Sequence, residues 1–214
     1  MAVRVVLADD EPLLRRGLAV LLETDDRIRV VAEASDGAEL LDVVSRVHPD
    51  VVLVDVQMPG VDGLEALRRL HELADPPVVA ILTTFDLDDY VATALDLGAQ
   101  GFLLKDAEPD ALVRAVLDLA AGGAVLDPRI TARLLPRLRG TAQRENHQLA
   151  GLTGRERQVL ALVAAGRPNA AIARDLGLTE ATVKSYVSTL FTKLGVENRV
   201  QAALVAQRAN GDAW

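Results

Sequence analysis

The chain has 214 residues, of which half are apolar, a quarter are charged and none is cysteine. This composition excludes an intrinsically disordered chain, a disulfide scaffold and a thiolate metal site, and the length allows two domains. No apolar stretch approaches the roughly 20 residues of a membrane-spanning helix. The first residues also lack the pattern of a signal peptide. We therefore expect a cytoplasmic protein.

The net charge of −8 is distributed unevenly along the chain. Residues 1–122 carry 10 basic and 24 acidic side chains, residues 123–150 carry 5 and 2, and residues 151–214 carry 8 and 5. An acidic region repels nucleic acid, whereas a mildly basic one does not. Any contact with DNA is therefore expected from the last third of the chain.

Strand and helix patterns alternate over residues 1–122. Strands are predicted at Val3–Ala8, Ile28–Ala34, Val51–Asp55, Val78–Thr83 and Gly101–Leu104. Helices are predicted at Pro12–Leu22, Ala38–Val47, Leu64–Leu73, Asp88–Leu97 and Pro109–Ala121. This alternation predicts an α/β domain with a five-stranded, doubly wound parallel sheet of flavodoxin-like order 2-1-3-4-5.

The rest of the chain divides into a linker and a small helical domain. Residues 123–150 contain two prolines, glycine and a polar run, and we interpret them as a linker with a short helix at Ile130–Leu138. Residues 151–214 show four helical stretches and no strand pattern: Thr153–Ala165, Asn169–Leu176, Glu180–Leu194 and Arg199–Arg208. The second and third stretches, joined by a tight turn at Gly177, have the outline of a helix-turn-helix. From the residues alone, a generic helical bundle fits equally well.

Reactive side chains stand where the predicted parallel strands end: Asp9, Asp10, Asp55, Thr83 and Lys105. Carboxyl ends of such strands meet at one edge of the sheet, where ligands bind. Three carboxylates held close together need a counter-charge, and oxygen ligands favour Mg²⁺. Taken singly, each residue also fits a structural role, such as capping a helix for Asp9 and Asp10. Together they predict a site at which Asp55 accepts a phosphoryl group, Lys105 pairs with it and Thr83 donates a hydrogen bond.

The helix predicted at Glu180–Leu194 has two faces. Its apolar stripe comprises Val183, Val187, Leu190 and Leu194. Its opposite face is small and polar, which suits entry into a major groove, and comprises Ala181, Lys184, Ser185, Ser188 and Thr192. The last helix, Arg199–Arg208, has apolar residues that fit either pairing across a dimer or packing within one subunit.

Residues 1–122 resemble the receiver domain of two-component response regulators. The resemblance lies in ADDEP (Ala8–Pro12), DVQMPGVDG (Asp55–Gly63), LTTFD (Leu82–Asp86) and GFLLKD (Gly101–Asp106). It implies that a sensor histidine kinase phosphorylates Asp55. It further implies a Mg²⁺ ion held by the side chains of Asp10 and Asp55, by the backbone carbonyl of Gln57 and, through a water, by Asp9.

The same resemblance implies that Thr83, Phe102 and Lys105 report phosphorylation. Thr83 would move towards the phosphoryl group, and Phe102 would fill the space it leaves. By itself, Phe102 also fits an ordinary core aromatic. Many receivers have proline after the lysine, whereas this chain has Asp106, so we do not expect the cis peptide bond typical of that position.

Residues 151–208 resemble the LuxR-type helix-turn-helix of NarL/FixJ-class regulators, through LTGRERQVL (Leu152–Leu160), GRPNAAIARDLGLTEATVKSYV (Gly166–Val187) and KLGVENRVQAAL (Lys193–Leu204). The resemblance implies that Lys184, Ser185 and Ser188 face bases or nearby phosphates. It offers Thr153, Thr182, Lys193 and Arg199 as further phosphate contacts. Ala170, Ala171 and Ser188 stand where relatives often carry charges, so we expect few phosphate contacts and binding as a dimer.

These observations predict a DNA-binding transcriptional response regulator, with residues 1–122 as receiver, 123–150 as linker and 151–214 as DNA-binding domain. Phosphorylation of Asp55 would promote dimerisation and promoter binding, and the chain would not be a dedicated enzyme. One rival is a phosphatase with an aspartate nucleophile, but such enzymes need a second aspartate where this chain has Gln57. The other is an interaction protein whose helical domain binds protein.

Overall fold

The structure is a computed structural model that describes residues 1–83, 88–127, 129–130, 149 and 151–211. Its internal contacts divide the chain into two units, Met1–Ala120 and Ala121–Trp214. The division falls close to the predicted end of the first domain. The linker helix predicted at Ile130–Leu138 lies outside the described residues, apart from Ile130 itself. No helix within the described ranges is long and apolar enough to cross a membrane.

Strands and helices alternate in the first unit. Its strands are β1 (Val3–Ala8), β2 (Ile28–Ala34), β3 (Val51–Asp55), β4 (Val78–Thr83) and β5 (Gly101–Leu104). Its helices are α1 (Pro12–Leu22), α2 (Gly37–Val47), α3 (Gly63–His71), α4 (Asp88–Asp96) and α5 (Pro109–Ala120). All five strands have the predicted bounds, and each helix ends within two residues of its predicted end.

The sheet has one more strand than predicted. Its order is β2-β1-β3-β4-β5-β6, where β6 is the two-residue strand Val125–Leu126. The sequence analysis missed β6 because two residues are too few to show an alternating pattern. The pairs β1–β2, β1–β3, β3–β4 and β4–β5 are all parallel. The predicted doubly wound fold is therefore confirmed, with six strands instead of five.

Burial explains why β3 is a continuous run of apolar residues that ends in an acid. Every residue of β3 is buried, as expected for a central parallel strand covered on both faces. Helices around it start at aspartate caps: Asp36 accepts hydrogen bonds from the first turn of α2, and Asp62 accepts one from the first turn of α3. These caps fix where the loops end and therefore how the edge of the sheet is arranged.

Over its described residues, the second unit contains helices and the short strand β6. Its helices over residues 151–211 are α6 (Gly154–Ala164), α7 (Asn169–Leu176), α8 (Glu180–Leu194) and α9 (Arg199–Gly211). Gly177 and Gly195 end α7 and α8 in the left-handed region, which glycine adopts without strain. One apolar core joins the four helices, with Val159, Ile172, Val183 and Ala202 fully buried at its centre.

Candidate phosphoryl site and nucleic-acid interface

The adjacent ends of β1 and β3 bring three carboxylates together. Asp9 and Asp10 follow β1, Asp55 ends β3, and one carboxylate oxygen from each lies within 4.8 Å of the others. The strand order reverses between β1 and β3, which makes this edge the topological switch point where ligands bind in open α/β sheets. The structure thus places together the three acids that the sequence analysis selected.

Lys105 supplies the counter-charge of this cluster. Its ammonium nitrogen lies 2.8 Å from Asp55 Oδ2, 2.9 Å from Asp9 Oδ2 and 3.6 Å from Glu11 Oε1. The side chains of Lys105, Asp9 and Asp55 are 7%, 1% and 6% exposed. A single cation therefore partly neutralises two buried carboxylates, and the sequence analysis did not foresee the contribution of Glu11.

Most polar atoms of Asp9 have hydrogen-bond partners. Its backbone N–H donates to the Ala34 carbonyl, and its Oδ1 accepts from the Glu11 N–H at 2.8 Å. Its Oδ2 is buried and, although close to Lys105, receives no hydrogen bond of good geometry. A buried carboxylate oxygen that receives no hydrogen bond can still interact with a second cation.

Asp10 differs from its neighbour in being exposed. Over the described residues, its carboxylate makes no hydrogen bond or ion pair. Gln57 is exposed in the loop after β3, and its backbone N–H donates to the Asp55 carboxylate. This edge of the sheet thus combines three different aspartates. Asp9 is held by hydrogen bonds, Asp10 has no side-chain partner over the described residues, and Asp55 is the phosphoacceptor candidate.

Burial and the nearby ammonium act in opposite directions on Asp55. Burial raises the pKa of Asp55 above its ordinary value, and the hydrogen bond from Lys105 only partly offsets this effect. Burial alone would lower the pKa of Lys105, but its hydrogen bond to Asp55 and its close contact with the Asp9 carboxylate outweigh burial and raise the pKa. Lys105 is therefore held as an ammonium between the two carboxylates.

Thr83 and Phe102 are both buried beside this edge. The Lys105 N–H donates to the Thr83 carbonyl at 2.9 Å, which aligns the end of β4 with the end of β5. Thr83 is 3% exposed and Phe102 is 0% exposed. Full burial of Phe102 fits an ordinary core aromatic, and its movement into space left by Thr83 stays a prediction. The LTTFD motif continues beyond Thr83 into residues 84–86, which are outside the described residues.

The predicted outer face of α8 is exposed, and its apolar stripe is buried. Ala181, Lys184, Ser185, Ser188 and Thr192 are all exposed. Val183, Val187, Leu190 and Leu194 are buried in the core of the second unit. Thr182 is exposed too, with its hydroxyl 2.8 Å from that of Thr179. The second unit therefore presents a small, polar helix surface with one cation.

Comparison with known proteins gives the family. Residues 5–117 match the response regulator receiver domain, and residues 150–206 match the bacterial regulatory proteins of the luxR family. The nitrate/nitrite response regulator NarL of Escherichia coli K12 is 39% identical over 200 residues, which cover 94% of this chain and 93% of NarL. The chain is a two-component response regulator.

Two further proteins support this membership along the whole chain. The DNA-binding transcriptional activator DevR/DosR of Mycobacterium tuberculosis is 42% identical over 204 residues, covering 95% of this chain and 94% of that protein. The crystal structure of the response regulator ChrA, of a heme-sensing two-component system, is similar with a TM-score of 0.54. It is 38% identical and covers 98% of each chain. This response regulator thus has the receiver domain first and the LuxR-type domain second.

In this response regulator, three side chains that were predicted to contact DNA phosphates make contacts within the protein. Arg199 is 5% exposed, and its guanidinium donates to Asn169 Oδ1 at 2.8 Å and to the Arg167 carbonyl. Lys193 pairs with the buried Glu156 at 2.8 Å. The hydroxyl of Thr153 caps α6 by accepting from the Glu156 N–H. The prediction for Arg199 needs correction, since its side chain is enclosed by the protein; Lys193 and Thr153 remain exposed.

The last helix of this response regulator is buried on all sides over residues 202–206. Val200 and every residue from Ala202 to Ala206 are at most 7% exposed. These positions occupy all directions around a helix. The two alternatives for α9 were pairing across a dimer and packing within one subunit. Ala202, Ala203, Val205 and Ala206 belong to the apolar core of the second unit, which supports packing within one subunit, and pairing across a dimer stays untested.

Two residues of the site escaped the sequence analysis. A Cβ atom on Gly63 would lie 2.0 Å from the carbonyl oxygen of Asp55, so only glycine permits the loop after β3 to return so closely. Glu156 forms a capping box with Thr153, which the T-x-x-E spacing in LTGRERQVL could have revealed. Every described peptide bond is trans, including the one after Lys105, as expected from Asp106.

Proposed function

We propose that this response regulator is a transcription regulator that is switched by phosphorylation of Asp55. The observation that carries the proposal is the position of Asp55, which has carboxylate oxygens of Asp9 and Asp10 within 4.8 Å and the Lys105 ammonium at 2.8 Å. A carboxylate flanked by a cation and by further oxygen ligands can act as nucleophile towards a phosphoryl group, because the charge of that group is then neutralised during transfer.

The residues at this edge fit a Mg²⁺ ion. The cluster offers carboxylate oxygens from Asp9, Asp10 and Asp55, and hard cations prefer such ligands. The buried Asp9 Oδ2 receives no hydrogen bond, and Asp10 is exposed and unpaired over the described residues. Asp10, Asp55 and the backbone carbonyl of Gln57 would hold the ion, and Asp9 would bind through a water. Bound Mg²⁺ would supply charge neutralisation and alignment of the phosphoryl group.

The transfer step needs only this edge and a phosphohistidine donor. A carboxylate oxygen of Asp55 attacks phosphorus, a P–O bond forms and the P–N bond to the donor imidazole breaks. The imidazole retains the electron pair and takes a proton from solvent. Lys105 stays beside Asp55 and pairs with the transferred group, and the hydroxyl of Thr83 donates to it. The chain takes up the group without turning over a substrate, so we do not propose a dedicated enzyme.

The output of the switch is DNA binding by the second unit. A phosphoryl group that draws in Thr83 changes the packing around β4 and β5, which biases the receiver between two states. Receivers that then pair raise the effective concentration of the second DNA-binding domain at a promoter. The exposed polar face of α8 and the net positive charge of residues 151–214 support this output. DevR/DosR, which is named a DNA-binding transcriptional activator, supports it by similarity.

Labelling with a phosphodonor tests the input. The full chain is incubated with acetyl phosphate or a phosphorylated histidine kinase in the presence of Mg²⁺. We expect one phosphoryl group per chain in the unsubstituted protein, none in Asp55→Ala, and normal labelling in Asp26→Ala, which removes an exposed aspartate. Labelling of Asp55→Ala at another residue would contradict the assignment of Asp55.

Mobility shift on DNA tests the output. The probe is the promoter of the chain's own operon, with and without acetyl phosphate. We expect tighter binding after phosphorylation. Lys184→Ala should weaken binding and reduce the slope of log affinity against log salt by about 1, whereas Glu197→Gln should leave that slope unchanged. If no promoter fragment binds while Asp55 is labelled normally, the helical unit binds protein instead.

A further inference from the structure

An arginine also contacts the loop that carries Asp9 and Asp10. Arg15, on the first turn of α1, donates from Nη1 to the backbone carbonyl of Asp9. Its Nε lies 3.2 Å from Glu33 Oε2 of β2. The side chain of Arg15 is only 15% exposed. One guanidinium therefore joins the loop after β1 to the neighbouring strand.

The carbonyl that Arg15 holds belongs to the peptide bond between Asp9 and Asp10. The orientation of that peptide group sets where the Asp10 backbone leaves the strand. Asp10 has no side-chain partner over the described residues, so its position depends on the backbone alone. Asp9 is fixed by four contacts, to Ala34, Glu11, Lys105 and Arg15. Three of these fix Asp9 itself, whereas the Arg15 contact also fixes the start of Asp10.

We propose that Arg15 is a positioning residue of the phosphoryl site, which aligns Asp10 to bind Mg²⁺ by holding the Asp9 carbonyl while Glu33 holds its guanidinium. This inference rests on the proposed function of the acidic cluster. Arg15 touches no carboxylate of the cluster and acts through the backbone. Groups that orient metal ligands in this indirect way commonly change metal affinity by 10- to 100-fold when removed.

The direction in which the Mg²⁺ affinity changes distinguishes a positioning role of Arg15 from a purely electrostatic one. Arg15 is a cation near an acidic site, so its charge alone disfavours binding of a second cation. If charge were its only contribution, Arg15→Ala would bind Mg²⁺ more tightly. If Arg15 positions Asp10, the same substitution binds Mg²⁺ more weakly.

The neighbouring Arg16 provides a matched control. It also pairs with Glu33, with Nη1 at 3.4 Å from Oε1, but it is 76% exposed and does not contact the Asp9 carbonyl. Arg16→Ala removes the same charge from the same helix turn and leaves the Asp9–Asp10 peptide group held. Arg15→Lys is the conservative variant, since an ammonium can reach one of the two partners but cannot bridge them as the planar guanidinium does.

The experiment is a calorimetric titration of the full chain with Mg²⁺, together with the Mg²⁺ dependence of labelling by acetyl phosphate. We expect Arg15→Ala to raise the Mg²⁺ dissociation constant about tenfold, Arg15→Lys to give an intermediate value, and Arg16→Ala to stay within about twofold. The maximal labelling rate at saturating Mg²⁺ should change less than the half-saturating concentration.

Each outcome decides one proposal. An unchanged or lower dissociation constant in Arg15→Ala would overturn the role of Arg15. Failure of the unsubstituted chain to bind Mg²⁺ or to be labelled would overturn the proposed function instead. If Arg15→Ala does not unfold cooperatively on heating without Mg²⁺, the comparison of Arg15→Lys with Arg16→Lys gives the decision. Equal affinities in those two variants would overturn the inference.

Discussion

Lys105 Nζ lies 2.8 Å from Asp55 Oδ2 and 2.9 Å from Asp9 Oδ2, so one buried ammonium is shared by two buried carboxylates. The three side chains come from the ends of three different parallel strands. Without the ammonium, two negative charges would share an enclosed site. Lys105 therefore contributes both to stability and to chemistry, because the ammonium that neutralises the unphosphorylated site is also available to pair with a phosphoryl oxygen.

Lys105→Met should destabilise the receiver and make its stability more dependent on Mg²⁺. Removing one partner of a buried ion pair costs about 3 kcal/mol, and a divalent cation bound to the folded state would return part of that loss. Urea unfolding with and without Mg²⁺ measures both effects. Lys184→Met, which removes an exposed lysine, should change the free energy of unfolding by less than about 0.5 kcal/mol. An identical response to Mg²⁺ in Lys105→Met and the unsubstituted chain would contradict this prediction.

Two glycines should respond in opposite directions to a single added methyl group. Gly63→Ala places a Cβ 2.0 Å from the Asp55 carbonyl oxygen, so the loop after β3 must move and the free energy of unfolding should fall by about 3 kcal/mol. Gly17 lies inside α1, and a Cβ there meets nothing within 4 Å. Gly17→Ala should therefore stabilise the chain by up to about 1 kcal/mol, through helix propensity. Thermal melting compares the two, and a stable Gly63→Ala protein with normal labelling of Asp55 would refute the close approach.

Glu156 should make the stability of the second unit depend on pH. Hydrogen bonds from Lys193 and from the Thr153 backbone lower the pKa of Glu156 below its ordinary value of 4.5. A lowered folded-state pKa means that the stabilisation is complete above the unfolded-state value and is lost as the pH falls below about 4.5, through the lower pKa of the folded state. Hydrogen exchange of the α6 and α8 amides follows this loss. Glu156→Gln should flatten the dependence, whereas Glu197→Gln, at an exposed position, should preserve it.

The Asn169–Arg199 contact should be energetically coupled. Burial lowers the pKa of Arg199 to about 10, and no carboxylate pairs with it among the described residues. Asn169→Ala leaves the buried guanidinium without its 2.8 Å acceptor, which should cost about 2 kcal/mol. Arg199→Met removes the charge that needs this acceptor. In that background, Asn169→Ala should cost much less in urea unfolding, and additive effects would show that the two side chains act independently.

Local sequence patterns predicted the strands and the residues at their ends well. A run of apolar residues that ends in a polar one is a pattern of adjacent positions, so it can be recognised without knowing the fold. Contacts between residues that are far apart in the sequence could not be predicted in this way. Arg199 was expected at a phosphate, but folding buries it against Asn169 and the Arg167 carbonyl, about 30 positions away in the sequence. Arg15 was not among the predicted site residues, because only the return of β2 brings Glu33 beside it. Gly63 was part of a quoted motif, yet its close approach to Asp55 depends on the path of the entire loop.

The burial of α9 has a consequence for assembly. Five consecutive residues of α9, Ala202–Ala206, are at most 7% exposed, so their side chains are already in contact with other parts of the same chain. Self-association through α9 would first require the helix to give up contacts it already makes, so intramolecular packing and subunit pairing compete for the same side chains. Pairing through α9 therefore carries the cost of exposing these side chains, and a dimer that uses another surface of the chain avoids that cost.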